Sequence, residues 1–103
     1  MHTLLVLYPE PTDRAAFAAY YEQTHLPLCA KLPGVQEMSY ALGIAEPGAG
    51  PYYGCFRATF ANAAALDAAM SSPEGRAVES DVPNYATGGA TVLSFPTTEL
   101  SLG

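Results

Sequence analysis

The chain has 103 residues, half of them apolar and 14% charged, with ten acids against four bases for a formal net charge of −6. That length sets a single domain, and with no Lys/Arg cluster to neutralise phosphates the composition excludes nucleic acid and anionic membrane surfaces as partners. A chain this short buries only roughly 60 to 70 per cent of its unfolded surface, so the apolar excess predicts that a second copy covers part of it, most simply in a twofold homodimer.

Residues 2–8, HTLLVLY, are an almost continuous apolar run and predict a strand covered on both faces. Pro9 and Pro11 end it, and Thr12 or Asp13 caps the helix that follows. Phe17, Tyr21 and Thr24 lie at i, i+4 and i+7, with Tyr20 at i+3, which is one face of a 3.6-residue repeat. His25 falls four residues after Tyr21, so imidazole and phenol are neighbours. Pro27 disfavours helical geometry at Leu26, so the helix is expected to kink or end near His25 and to continue to about residue 31 after the break. Leu32-Pro33-Gly34 then stops it.

Residues 35–44 alternate with period two and predict a strand, 46–51 form a loop, and 52–60 alternate again. In the second strand Tyr52, Gly54, Phe56, Ala58 and Phe60 share one face, opposite Tyr53, Cys55, Arg57 and Thr59. Asn62 caps a helix over about residues 63–70, with Leu66, Ala69 and Met70 inward. Ser72-Pro73-Glu74 starts another helix that ends near Asp81-Val82-Pro83. Residues 88–95 are the last strand, and 97–103 a tail. The order is βαββαβ, an α+β ferredoxin-like unit with a four-stranded antiparallel sheet and both helices on one face. The bare face is where a second copy is expected to pack.

Several patterns carry no chemistry. Cys29 and Cys55 form no C-x-x-C and no zinc spacing, and are read as reduced, buried thiols. His2 reads as solvent-facing. There is no H-E-x-x-H for a metal, no G-x-S-x-G, and Gly88-Gly89 precedes a strand, so it is no nucleotide fingerprint. No metal and no cofactor is expected. The first residues lack a basic region followed by an apolar core, and no apolar run approaches the roughly 20 residues of a membrane span. The expectation is a cytoplasmic protein.

Tyr20-Tyr21, His25-Leu26-Pro27-Leu28 and Lys31-Leu32-Pro33-Gly34 resemble the EthD family of small dimeric α+β barrel proteins. The resemblance includes Leu4-Leu5-Val6-Leu7-Tyr8-Pro9, Ser72-Pro73-Glu74-Gly75, Asn84-Tyr85-Ala86 and Gly88-Gly89, and so spans nearly the whole chain. It implies a single EthD-like domain over residues 1–103, and oxidoreductase names linked to ether degradation. Relatives sharing the barrel include cofactor-free monooxygenases, lactone isomerases and polyketide cyclases. Some bind haem, for which His25 is a candidate ligand. In this family the histidine of the H-L-P-L motif is the residue usually suspected of catalysis.

His25 titrates near cellular pH. It is either a general base or acid toward a phenol, enol or carbon acid, or a structural histidine holding carbonyls freed at the helix break. Seven tyrosines in 103 residues are an excess. A phenol in an apolar pocket bonds a carbonyl or oxyanion while its ring stacks on an aromatic ligand. Tyr20, Tyr21, Tyr40, Tyr52, Tyr53 and Tyr85 are the candidates; the alternative is that each is core or interface. Asn84 either orients a substrate oxygen or makes a turn, and Arg57 either pairs with Glu37 or anchors an anion. The expected site therefore has His25 and Tyr21 as catalytic residues, with Tyr20, Tyr40, Tyr53, Asn84 and Tyr85 binding a small apolar or aromatic molecule. Two rival expectations are a non-catalytic binder of a reactive metabolite and a purely structural dimer. A hollow of several hundred cubic ångströms touching His25 would speak for ligand work.

Overall fold

Period-two alternation in the strands and caps at the helix starts set the architecture. A computed structural model describes residues 1–103. Its elements are β1 (His2–Pro9), α1 (Arg14–Tyr20), one wide helical turn (Tyr21–His25), α2 (Leu26–Cys29), β2 (Glu37–Leu42), β3 (Tyr52–Phe60), α3 (Ala63–Ser71), α4 (Pro73–Asp81), a 3₁₀ turn (Val82–Asn84) and β4 (Thr91–Pro96). The strands form one antiparallel sheet in the order β2-β3-β1-β4, the ferredoxin-like arrangement.

Register fixes the two faces. Val6 stands opposite Phe56 on one side and Val92 on the other, and Leu4 opposite Ala58. Leu4, Val6, Phe56 and Ala58 point at the helices, where Phe17, Tyr21, Leu66, Ala69 and Val78 meet them in one core. Leu5 stands opposite Arg57 and Leu93, and Leu7 opposite Cys55, on the face that carries no helix. β1 is therefore covered on one face within the subunit, not on both. Leu5, Leu7 and Phe95 are half-buried there, and Leu93 remains 44% exposed.

Local chemistry starts each helix where the sequence places it. The Asp13 carboxylate accepts from the Ala16 N–H at 3.0 Å, and the Asn62 side chain from the Ala65 N–H at 2.8 Å. Ser72 accepts from the Gly75 N–H at 3.1 Å, with Pro73 in the first turn of α4. Gly75 lets α4 lie against the end of α3, because a Cβ there would stand 2.2 Å from the Ala69 carbonyl oxygen.

Four further expectations change. β2 begins at Glu37, although the Gln36 N–H already donates to the Thr59 carbonyl. β4 begins at Thr91, since Gly89 at φ +88° is spent on a turn whose N–H returns to Ala86. Tyr53 leaves the face of Cys55 and Arg57: the β1–β3 register slips between Tyr8 and Pro9, and Tyr53 packs edge-on against Phe17 at 4.9 Å. Glu37 and Arg57 form no ion pair within the subunit; Arg57 stands opposite Ser39 and Glu37 opposite Thr59. No helix is long and apolar enough to cross a membrane.

Candidate active site

The helix does not end at Pro27; it widens. Proline has no N–H to give the carbonyl four residues back, and its ring crowds that carbonyl. The chain takes one turn of π-helix instead, in which the Leu26 N–H donates to the Tyr21 carbonyl. The extra residue rotates everything after it. Thr24, expected on the face of Phe17 and Tyr21, is exposed, and His25 takes its place. Phe17, Tyr21, His25 and Cys29, each four residues apart, all face the core.

His25 is 2% exposed, and its Nδ1 lies 2.9 Å from Oδ2 of Asp81, the last residue of α4. The other carboxylate oxygen accepts from the Tyr20 hydroxyl at 2.5 Å and from Asn84 Nδ2 at 3.0 Å. Burial alone would raise the Asp81 carboxyl, but the bonds from Tyr20, Asn84 and His25 together outweigh it and hold the group below its ordinary value. Burial pushes His25 down, and the bond to Asp81 opposes this only in part. The pair is therefore a carboxylate and a neutral imidazole. An ionised carboxylate only accepts, so the ring proton sits on Nδ1 and Nε2 keeps its lone pair. Nε2 has no hydrogen-bond partner within the chain.

Beside this pair lies a knot of rings. His25 stacks on Tyr21 at 5.3 Å and meets Tyr85 at 4.5 Å. Tyr8, Tyr21 and Tyr85 bring their hydroxyls together: Tyr8 and Tyr85 are 2.9 Å apart, and Tyr8 donates to Tyr21 at 3.3 Å. Burial raises all three phenols. A cavity of about 100 Å³ opens between sheet and helices, walled by His25, Tyr8, Cys29, Phe56 and Val78. Val92, 62% exposed on the edge strand β4, forms part of its rim. Burial pushes the Cys29 thiol in its wall up to about 11, so it lines the cavity as an apolar group. A larger depression of about 250 Å³ on the uncovered sheet face, beside Glu37 and Arg57, contains none of these groups.

The expected site residues separate into three places. Tyr21, fully buried, and Tyr85 stand behind Tyr8 and do not line this cavity. Tyr20 and Asn84 bond Asp81 and each other. Tyr40 and Tyr53 stand away: Tyr40, 43% exposed, donates to Glu22 at 2.6 Å, and Tyr53 lies under the Arg14 guanidinium. The cavity is smaller than the several hundred cubic ångströms anticipated, with room for a small molecule or one end of a larger one. A haem does not fit a space of this volume. No group of three or more His, Cys, Asp or Glu is placed to hold a metal ion. Asp81 and Tyr8 were not among the sequence candidates. The one local signal for Asp81 is an acid at a helix C-terminus, where the dipole disfavours it.

Comparison with known proteins agrees with the motifs. The EthD domain model matches residues 9–89. An uncharacterised 11.0 kDa protein of Rhodococcus erythropolis, from the thcB–thcC intergenic region, is 33% identical over 94 residues, covering 90% of this chain and 91% of that protein. The crystal structure of an EthD family protein of Bacillus halodurans superposes with a TM-score of 0.87 at 29% identity, covering 95% of this chain and 99% of that one. The fold alone recurs in a protein of Thermobifida fusca described as dimeric and ferredoxin-like, at 17% identity and a TM-score of 0.72 over 93% of this chain and 90% of that one. It recurs too in SnoaB of Streptomyces nogalater, a cofactor-independent oxygenase, at 14% identity and a TM-score of 0.66 over 98% and 95%. With the family model matching residues 9–89 and a relative one-third identical along nearly its full length, this chain belongs to the EthD family.

Proposed function

We propose that the chain is a homodimeric enzyme that removes a proton from a small apolar or aromatic molecule, with His25 Nε2 as the general base. One observation carries the reading: Nδ1 of His25 lies 2.9 Å from the buried Asp81 carboxylate, while Nε2 is left without a partner on a histidine that walls an apolar cavity. Asp81 orients the ring and stabilises the imidazolium once it forms. Tyr20 and Asn84 act through Asp81 rather than on the substrate. Tyr85 packs against the His25 ring, and Tyr40 and Tyr53 lie outside the cavity wall. Removal of a proton is a first step common to cofactor-free oxygenation of the kind named for SnoaB, to cyclisation and to isomerisation. The dimer is supported by Leu5, Leu7, Leu93 and Phe95 on the uncovered sheet face, and by the dimeric description of proteins with this fold.

The test needs no knowledge of the natural substrate. Small cyclic diketones and activated phenols are incubated with the protein in deuterated water, and C–H exchange is followed by NMR. The expected result is exchange faster than buffer for at least one class, and lost in His25→Gln. Equal exchange by the variant removes His25 from the chemistry. A second reading, a non-catalytic binder of a reactive metabolite, draws on the size of the cavity, about 100 Å³ against the roughly 300 Å³ or more of most ligand pockets. Binding of these compounds without exchange would favour it.

A further inference from the structure

Tyr8, Tyr21 and Tyr85 are each at most 4% exposed, and their three hydroxyls make only two hydrogen bonds, both to one another. Three O–H protons thus serve two bonds. Tyr8 gives its proton to Tyr21, which makes Tyr85 the donor to Tyr8 and leaves the Tyr21 proton without an acceptor. A buried donor left unpaired is costly, and native interiors rarely tolerate one without a reason. Tyr8 is the middle phenol of the three, and the one that walls the cavity together with His25.

We propose that the Tyr8 hydroxyl donates to an oxygen of the substrate in this cavity, and that Tyr21 and Tyr85 then both donate to Tyr8. That rearrangement gives every phenolic proton an acceptor, because the Tyr8 oxygen has two lone pairs and its own proton turns to the ligand. A phenol that accepts two hydrogen bonds is itself a stronger donor. Electrostatics agree: burial raises Tyr8, and its two phenol neighbours pull it back down, whereas Tyr21 and Tyr85 are pushed up by burial and by Tyr8.

The substrate class follows, resting on His25 as the base. It is a molecule with a carbonyl one bond from an acidic C–H. Nε2 takes the proton, the C–H electron pair becomes the C=C bond of an enolate, and the C=O π pair moves onto the oxygen that Tyr8 binds. The step is redox-neutral and needs no co-reactant. Tyr8 is then a catalytic residue, and Tyr21 and Tyr85 are positioning residues.

The test uses pentafluorophenolate, a small oxyanion with no proton to lose, titrated into the intact protein and followed by fluorine NMR. Wild-type protein is expected to bind it, Tyr8→Phe to bind about ten- to a hundredfold more weakly, and Tyr85→Phe a few-fold more weakly with a shifted bound fluorine signal. Phenolate binding by wild-type protein that shows no C–H exchange would remove the base and leave the oxygen site, so failure of the base and failure of the oxygen site read differently. No binding by wild type, or unchanged affinity in Tyr8→Phe, overturns the proposal. Should Tyr8→Phe fail to fold, an unchanged affinity and fluorine signal in Tyr85→Phe overturns it.

Discussion

Asp81→Asn tests whether the aspartate sets the proton on His25. The carboxylate accepts three bonds: Tyr20 at 2.5 Å, His25 at 2.9 Å and Asn84 at 3.0 Å. An amide of the same shape has one oxygen, which accepts, and one –NH₂, which only donates. Its oxygen suits Tyr20 and Asn84, both donors, which leaves the –NH₂ facing His25. The ring then accepts at Nδ1 and carries its proton on Nε2, the wrong nitrogen for a base. In the enclosed His25–Asp81 contact a charge-assisted bond becomes a neutral one, at a cost of about 1–2 kcal/mol. At about 4–8 °C per kcal/mol for a domain of this size, the melting temperature falls by roughly 5–15 °C and the protein stays folded. Ring-nitrogen NMR reads the tautomer directly. The expected result is Nδ1–H in wild type, Nε2–H in the variant, and a loss of about 10²- to 10⁴-fold in C–H exchange. A wild-type ring protonated on Nε2, or on both nitrogens at neutral pH, would refute the reasoning, as would a variant with the same tautomer and rate.

The other predictions concern aim, acid and assembly. Pro27→Ala supplies the missing N–H and lets the turn tighten onto the Gln23 carbonyl; the melting temperature is expected to hold or rise while the His25 ring-nitrogen signals move away from those of the Asp81-bonded ring. Unchanged signals would show that the proline does not aim the histidine. His25 is held below its ordinary value of 6.5, so on acidification the unfolded chain binds a proton first. Denaturant-measured stability therefore falls as pH drops below about 6.5, and falls again below about 3.8, where Asp81, also held down, begins to protonate in the unfolded state. Both shifts have the same sign, and His25→Gln removes the first fall; stability that rises from pH 7 to pH 5 contradicts this. Leu93→Asp places a charge on the uncovered sheet face and is expected to give a folded monomer by light scattering, whereas a persistent dimer would place the interface elsewhere.

What could be read from the sequence was local. Asp13, Asn62 and Ser72-Pro73 announce helix starts because a cap acts within three residues, and the strands announce themselves because a half-covered sheet demands period two. Tyr53 escaped that rule because one slip of register turns a side chain to the other face. Asp81 escaped because its partner is 56 residues away, and nothing near it in sequence requires a histidine.

Pro27 was legible as a disturbance but not as its outcome, since ending, kinking and widening all relieve the same clash. A second signal in the chain separates them. Phe17, Tyr21, His25 and Cys29 are spaced four, four and four, twelve residues in all. Three regular turns take about 10.8 residues, so this spacing drifts off one face of an α-helix, whereas one inserted residue brings three turns to about 11.8 and keeps all four inward. The apolar spacing and the proline therefore require the same wide turn. That turn also explains why the histidine stands two residues before the proline. Buried in the turn that Pro27 widens, His25 comes within reach of a carboxylate at the end of α4, and Tyr8, from the first strand, walls the same cavity. The H-L-P-L motif thus has a mechanical meaning: the proline sets the helix phase, and the phase decides whether residue 25 meets Asp81 or water.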